Sequence, residues 1–110
     1  MNHSSRQTTI YIGLNDSETR VQKFDSQRYI SILKGACRSY KVAFSVQEIS
    51  GGYFHEDGRY TEENTLMLML IDVSDQIITE LAKDLCAFFH QESVMVTSSP
   101  TSVVFIKETL

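Results

Sequence analysis

Tryptophan is absent from this chain, proline occurs once and cysteine twice. Two cysteines, Cys37 and Cys86, are too few and wrongly spaced for a disulfide scaffold, so both are expected as reduced thiols. No apolar run approaches the ~20 residues of a membrane-spanning helix. The longest, Leu66 to Ile71, is the length of a strand. The opening residues, Met1 to Gln7, are polar and carry no apolar core of a signal peptide, which points to a cytoplasmic protein with no membrane partner. Residues 1–7 read as a disordered tail ahead of one domain over residues 8–110.

What is present fits such a domain. The chain has 110 residues, 42% of them hydrophobic and 22% charged. That length buries enough surface for a core without covalent staples. The formal net charge of −4 hides a separation of signs. Six of the ten basic residues (Arg20, Lys23, Arg28, Lys34, Arg38 and Lys41) lie between residues 20 and 41. The acids gather later, at Glu48, Glu56, Asp57, Glu62, Glu63, Asp72, Asp75, Glu80 and Asp84. Such a dipolar surface suits two solvated faces, self-association or a charged partner.

Periodicity supplies the elements. Ile10, Ile12 and Leu14 alternate as a first strand. Asp25 is placed to cap a helix, with Phe24 and Tyr29 as its hydrophobic staple. Tyr29, Leu33, Ala36, Cys37 and Tyr40 follow at helical spacing, opposite a basic stripe. Val42, Phe44 and Val46 alternate again, while Ile49 falls out of phase, which predicts a bulge there or at Gly51-Gly52. Asp57-Gly58 signals a two-residue hairpin turn. The strand that follows, about Asn64 to Val73, is apolar on both faces. Ser74 or Asp75 opens a second amphipathic helix over Ile77 to Phe89. Val94 to Val96 is a last strand, broken at Ser98 to Thr101, and Val103 to Ile106 reads as its continuation or a further strand. The order β-α-β-β-α-β is the ferredoxin-like one: an α+β fold with an antiparallel sheet and two helices on one face. Two helices cover one face, so the other should meet a second subunit, giving a homodimer through sheet face or edge.

Several sites can be weighed from residue types alone. Ile10-Tyr11-Ile12-Gly13-Leu14-Asn15 matches the first-strand pattern of RNA-recognition domains, which stack bases on strand aromatics. The third strand offers only Leu66-Met67-Leu68-Met69-Leu70, and the hairpin is acidic, so nucleic acid is not expected. Cys86 and His90 sit four apart on a helix but have no second ligand pair, so no metal and no cofactor is expected. Tyr53, His55, Glu56, Asp57 and Tyr60 crowd the hairpin, where a histidine among carboxylates suggests acid–base chemistry. Neighbours on a strand face opposite ways, so His55 and Glu56 should not share a substrate. No nucleophile elbow, phosphate loop or dinucleotide fingerprint is present.

The segment Phe89-His90-Gln91-Glu92-Ser93-Val94-Met95-Val96, followed by Val103-Val104-Phe105, resembles the C-terminal signature of a family of small uncharacterised bacterial proteins. These open with a strand like Ile10-Tyr11-Ile12-Gly13-Leu14. The chain also resembles accessory proteins of Gram-positive conjugative elements. The resemblance implies a ferredoxin-like fold and cytoplasmic residence, and it carries no established activity across. Three functional expectations follow from these readings. The first is a non-enzymatic binding module acting as a homodimer. The second is a small dimeric α+β-barrel enzyme or small-molecule binder using Tyr11, Tyr29, His55 and His90. The third is a mobile-element regulator or inhibitor whose acidic hairpin (Glu56, Asp57, Glu62, Glu63) occupies a basic site on a protein partner.

Overall fold

Alternation, capping and helical periodicity produce the expected chain of elements. A computed structural model gives the structure of the protein and describes residues 3–108. The elements are β1 (His3–Gly13), α1 (Ser26–Ser39), β2 (Ser45–Phe54), β3 (Tyr60–Ile71), α2 (Asp75–Phe88) and β4 (Met95–Val103). They form one four-stranded antiparallel sheet in the order β2-β3-β1-β4, with both helices on one face. This is the ferredoxin-like α+β fold.

The helices begin as their caps dictate. The Asp25 carboxylate accepts from the Arg28 N–H, and Phe24 and Tyr29 bring their ring centroids to 5.9 Å. Ser74 caps α2 by accepting from the Ile77 N–H. Both helices end on a residue with left-handed backbone, Lys41 (φ 56°) and His90 (φ 52°). The next N–H in each case, of Val42 and of Gln91, bonds back to the carbonyl of Cys37 and of Cys86. Glycine usually takes that position, and without it the stop carries no sequence signal.

The core lies between the helices and one sheet face. Ile10, Ile12 and Leu14 of β1 and its end meet Leu66, Leu68 and Leu70 of β3, under Tyr29, Leu33 and Cys37 of α1 and Ile78, Leu81 and Leu85 of α2. Register explains the choice, since Ile10 stands opposite Leu68 and Ile12 opposite Leu66. The odd-numbered residues point the other way. One row across that open face runs Gln47, Met67, Tyr11, Met95.

Several boundaries differ from expectation. Residues 3–7 belong to β1, where they pair with Ser99 to Val103, so the tail expected over 1–7 is strand from His3 onward. The bulge expected near Ile49 is absent, because β2 pairs with β3 without a slip from Ser45 to Phe54. Ile49 falls out of phase with Val46 because it serves the open face. The hairpin loop holds three residues between the paired His55 and Arg59, and of its residues only Gly58 has positive φ (89°). It is a turn closed by Gly58 N–H donating to the His55 carbonyl, instead of the two-residue type that needs positive φ twice. β4 runs unbroken through Pro100, which an outer strand tolerates because an outward-facing N needs no partner. Val104 to Ile106 lie outside any strand.

Two extensions make the molecule long, 56 × 29 × 28 Å. The β2–β3 hairpin runs past the end of β1 at Gly13, and the β1–β4 pair runs past the other end.

Candidate functional site

At the hairpin end of the sheet, three segments enclose a cleft of about 430 Å³. The first is the loop after β1. Asp16 is 5% exposed and organises that loop around its carboxylate. One oxygen accepts from the Glu18 and Thr19 N–H groups at 2.8 and 3.0 Å, and the other meets the Lys23 ammonium at 3.2 Å. These backbone hydrogen bonds and the lysine pull its pKa down from 3.8 to about 2. Arg20, at φ 63°, closes the loop by donating its N–H to the Asp16 carbonyl.

The second wall is the segment after α2. The Ser17 N–H donates to the His90 carbonyl, and the Gln91 side chain donates to the Asn15 carbonyl at 2.6 Å. Thus the stop of α2 and the end of β1 hold each other in place, and Gln91, Glu92 and Ser93 reach the cleft.

The third wall is the hairpin, through its odd-numbered residues Tyr53, His55, Arg59, Thr61 and Glu63. The Tyr53 and His55 rings lie 5.0 Å apart, and a His55 ring nitrogen shares a 2.8 Å hydrogen bond with the Thr61 hydroxyl. Glu63 is half-buried and accepts from the Asn15 N–H at 2.9 Å. Its carboxylate occupies the space where a side chain on Gly13 would stand, since a Cβ there would come within 2.5 Å of Oε2. A glycine at the end of β1 therefore seats an acidic group at the floor of a polar cleft.

The residues singled out from sequence scatter. His55 and Glu63 meet in this cleft. Glu56 and Asp57 project from the exposed hairpin tip, where Asp57 pairs with Arg59 at 2.7 Å. Glu62 points to the opposite side of β3, onto a smaller depression with Gln22, Ser50 and Asn64. Tyr29 is core, packed edge-on against Phe89. Tyr11 lies mid-sheet on the open face, and His90 is exposed, supplying only its carbonyl to the cleft loop. Sequence proximity groups Glu63 with the exposed hairpin acids, but strand parity turns it inward beside Tyr53. Asn15, Asp16, Ser17, Arg20 and the Gln91–Ser93 segment carried no motif. Asn15, Asp16 and Ser17 are turn-favouring residue types, the one local mark of an ordered loop there. Among the described residues, no three His, Cys, Asp or Glu side chains converge as a metal site. Among the same residues, no helix is long and apolar enough to cross a membrane.

No family model matches the chain, and no curated protein matches it in sequence. Solved structures do match its shape. A phage SAM lyase in complex with S-methyl-5'-thioadenosine superposes with a TM-score of 0.64 at 19% identity, covering 92% of this chain and 90% of that one. Bacillus subtilis GlnK bound to ATP gives 0.58 at 11% identity, with 89% and 82% covered. CutA1 from Pyrococcus horikoshii gives 0.54 at 13% identity, with 92% and 87% covered. At such identities the likeness is one of fold, and it places this chain among small α+β proteins of ferredoxin-like architecture.

Proposed function

We propose that this protein binds a small adenosine-containing molecule in the cleft around Glu63, and that it does so as a self-associated assembly of two or more copies. The observation that carries the reading is the built floor of the cleft: a half-buried carboxylate fixed over Gly13 and the Asn15 N–H, beside the paired Tyr53 and His55 rings. A planar base has an aromatic surface to stack on, and ribose hydroxyls or a cationic centre have a fixed acceptor. About 430 Å³ falls within the range of ligand clefts for small molecules. Two proteins of the same fold bind ligands that share adenosine, S-methyl-5'-thioadenosine and ATP, which supports this class by analogy. A binding role suits the polar groups, since the Thr61 hydroxyl already engages His55 and the Asn15 amide engages Glu63.

Self-association is supported by the open sheet face, where Tyr11, Met67, Met69 and Met95 present apolar surface that no helix covers. A homodimer is the smallest assembly that would cover it.

Calorimetric titration with S-methyl-5'-thioadenosine and with ATP tests the ligand. Saturable binding of either is expected, weakened at least tenfold by Glu63→Gln or Tyr53→Ala while the melting temperature holds. Absence of heat with both at millimolar ligand would overturn the reading.

A further inference from the structure

We propose that residues Val104–Ile106 of one copy add as a short strand to the free edge of β2 in another copy, so that strand addition joins the subunits. Val-Phe-Ile is strand-forming sequence, yet it lies outside every strand, with Phe105 86% and Ile106 88% exposed. Three consecutive exposed apolar residues therefore follow the end of β4 without a strand partner among the described residues.

The sheet offers one matching vacancy. Its outer strands are β2 and β4. β4 is blunted by Pro100 and by an exposed polar run, Thr97 to Ser99. β2 carries none of the usual protections: it has no proline, no lysine or arginine, and no bulge. Its single charge, Glu48, is turned to the helix side and engaged by the Ser26 hydroxyl. The far half of β2 is the most open part, ending at Tyr53 and Phe54, and Phe54 packs on Tyr60 with 74% of its surface exposed. A three-residue strand beside Ser50–Phe54 would place Phe105 on one face and Val104 and Ile106 on the other. Whichever way it runs, an apolar side chain meets the Phe54–Tyr60 pair.

Geometry makes the occupant a second copy. β4 and β2 stand three strand spacings apart, roughly 14 Å. Val103 pairs with His3 at the end of the sheet remote from the hairpin. Three extended residues span about 10 Å at most, so the segment cannot reach its own β2. Donor and acceptor are different surfaces, which closes either by reciprocal exchange in a dimer or around a ring. Strand addition at this edge does not depend on what the cleft binds.

Light scattering and hydrogen exchange on the full chain test it, with Phe105→Pro removing an N–H from the added strand and Ile106→Asp removing its apolar contact. The wild type should exceed its monomer mass of 12.5 kDa. Each variant should raise the dissociation constant at least tenfold and speed exchange of the Ser50–Phe54 amides, with no change in far-ultraviolet circular dichroism. A synthetic peptide of residues 101–110 should compete with the wild-type assembly. Unchanged mass in both variants, or unchanged exchange in β2, overturns the proposal. If Met67→Glu dissolves the assembly while the Phe105 and Ile106 variants do not, the sheet face holds the copies together and strand addition fails.

Discussion

Glu63 and Gly13 work as a pair: the carboxylate sits where a methyl group on residue 13 would be. Gly13→Ala should therefore leave the fold intact, because the far end of a flexible side chain can swing away. It should cost ligand affinity almost as much as Glu63→Gln does. Titration of both variants with S-methyl-5'-thioadenosine checks this, and a Gly13→Ala protein of wild-type affinity would show that the position of the carboxylate is immaterial. Asp16 makes a different prediction, in pH. Its folded pKa of about 2 lies below the ordinary 3.8, so the unfolded chain takes up its proton first as pH falls. Its contribution to stability is complete above the unfolded value and is lost as pH falls from about 4 toward 2. Denaturant melts across that interval should show a shallower pH slope for Asp16→Asn than for wild type.

At the scale of elements, Lys41 and His90 hold left-handed backbone conformations that disfavour side chains. Lys41→Gly should raise stability by about 1 kcal/mol, read as a higher urea midpoint at unchanged slope. Gly58→Val should do the reverse, since φ 89° suits glycine and the β-branched side chain is strained there whatever space surrounds it. Asp25→Ala, which removes the α1 cap, should cost about 1 kcal/mol. These positions also show how much was legible in the sequence. The Asp25 cap, the Phe24–Tyr29 staple and the three leucines of β3 follow from local chemistry and period, while the cap of α2 is narrowed only to Ser74 or Asp75, of which Ser74 serves. The helix stops at Lys41 and His90 were silent because no glycine marks them. The phase of Ile49 misled because one strand serves two faces, so a change of face looked like an inserted residue. The cleft was half legible. Tyr53 and His55 stood out as a crowded hairpin, but bringing Glu63, Asn15 and Gln91 together depends on register and on how two loops bond to each other, which are long-range facts.

At the scale of the molecule, adjacent residues of β3 separate folding from assembly. Leu68 is fully buried under the helices, and Met67 sits half-buried on the opposite face in the row with Gln47, Tyr11 and Met95. Leu68→Ala removes core volume and should cost about 2 to 5 kcal/mol of folding stability. Met67→Glu removes nothing from that core, and in an isolated subunit its charge would remain in water. Between two apposed sheet faces the same carboxylate would be buried without a partner, which is costly enough to keep the copies apart. The expected outcome is therefore asymmetric. Leu68→Ala lowers the melting temperature by roughly 10 °C or more and lowers the population of folded subunits, whereas Met67→Glu yields a folded monomer of 12.5 kDa by light scattering. A Met67→Glu protein that keeps the wild-type mass would mean the open sheet face stays in water. Met67, Tyr11 and Met95 would then be accessible apolar surface on three neighbouring strands, and the copies would have to meet through an edge alone.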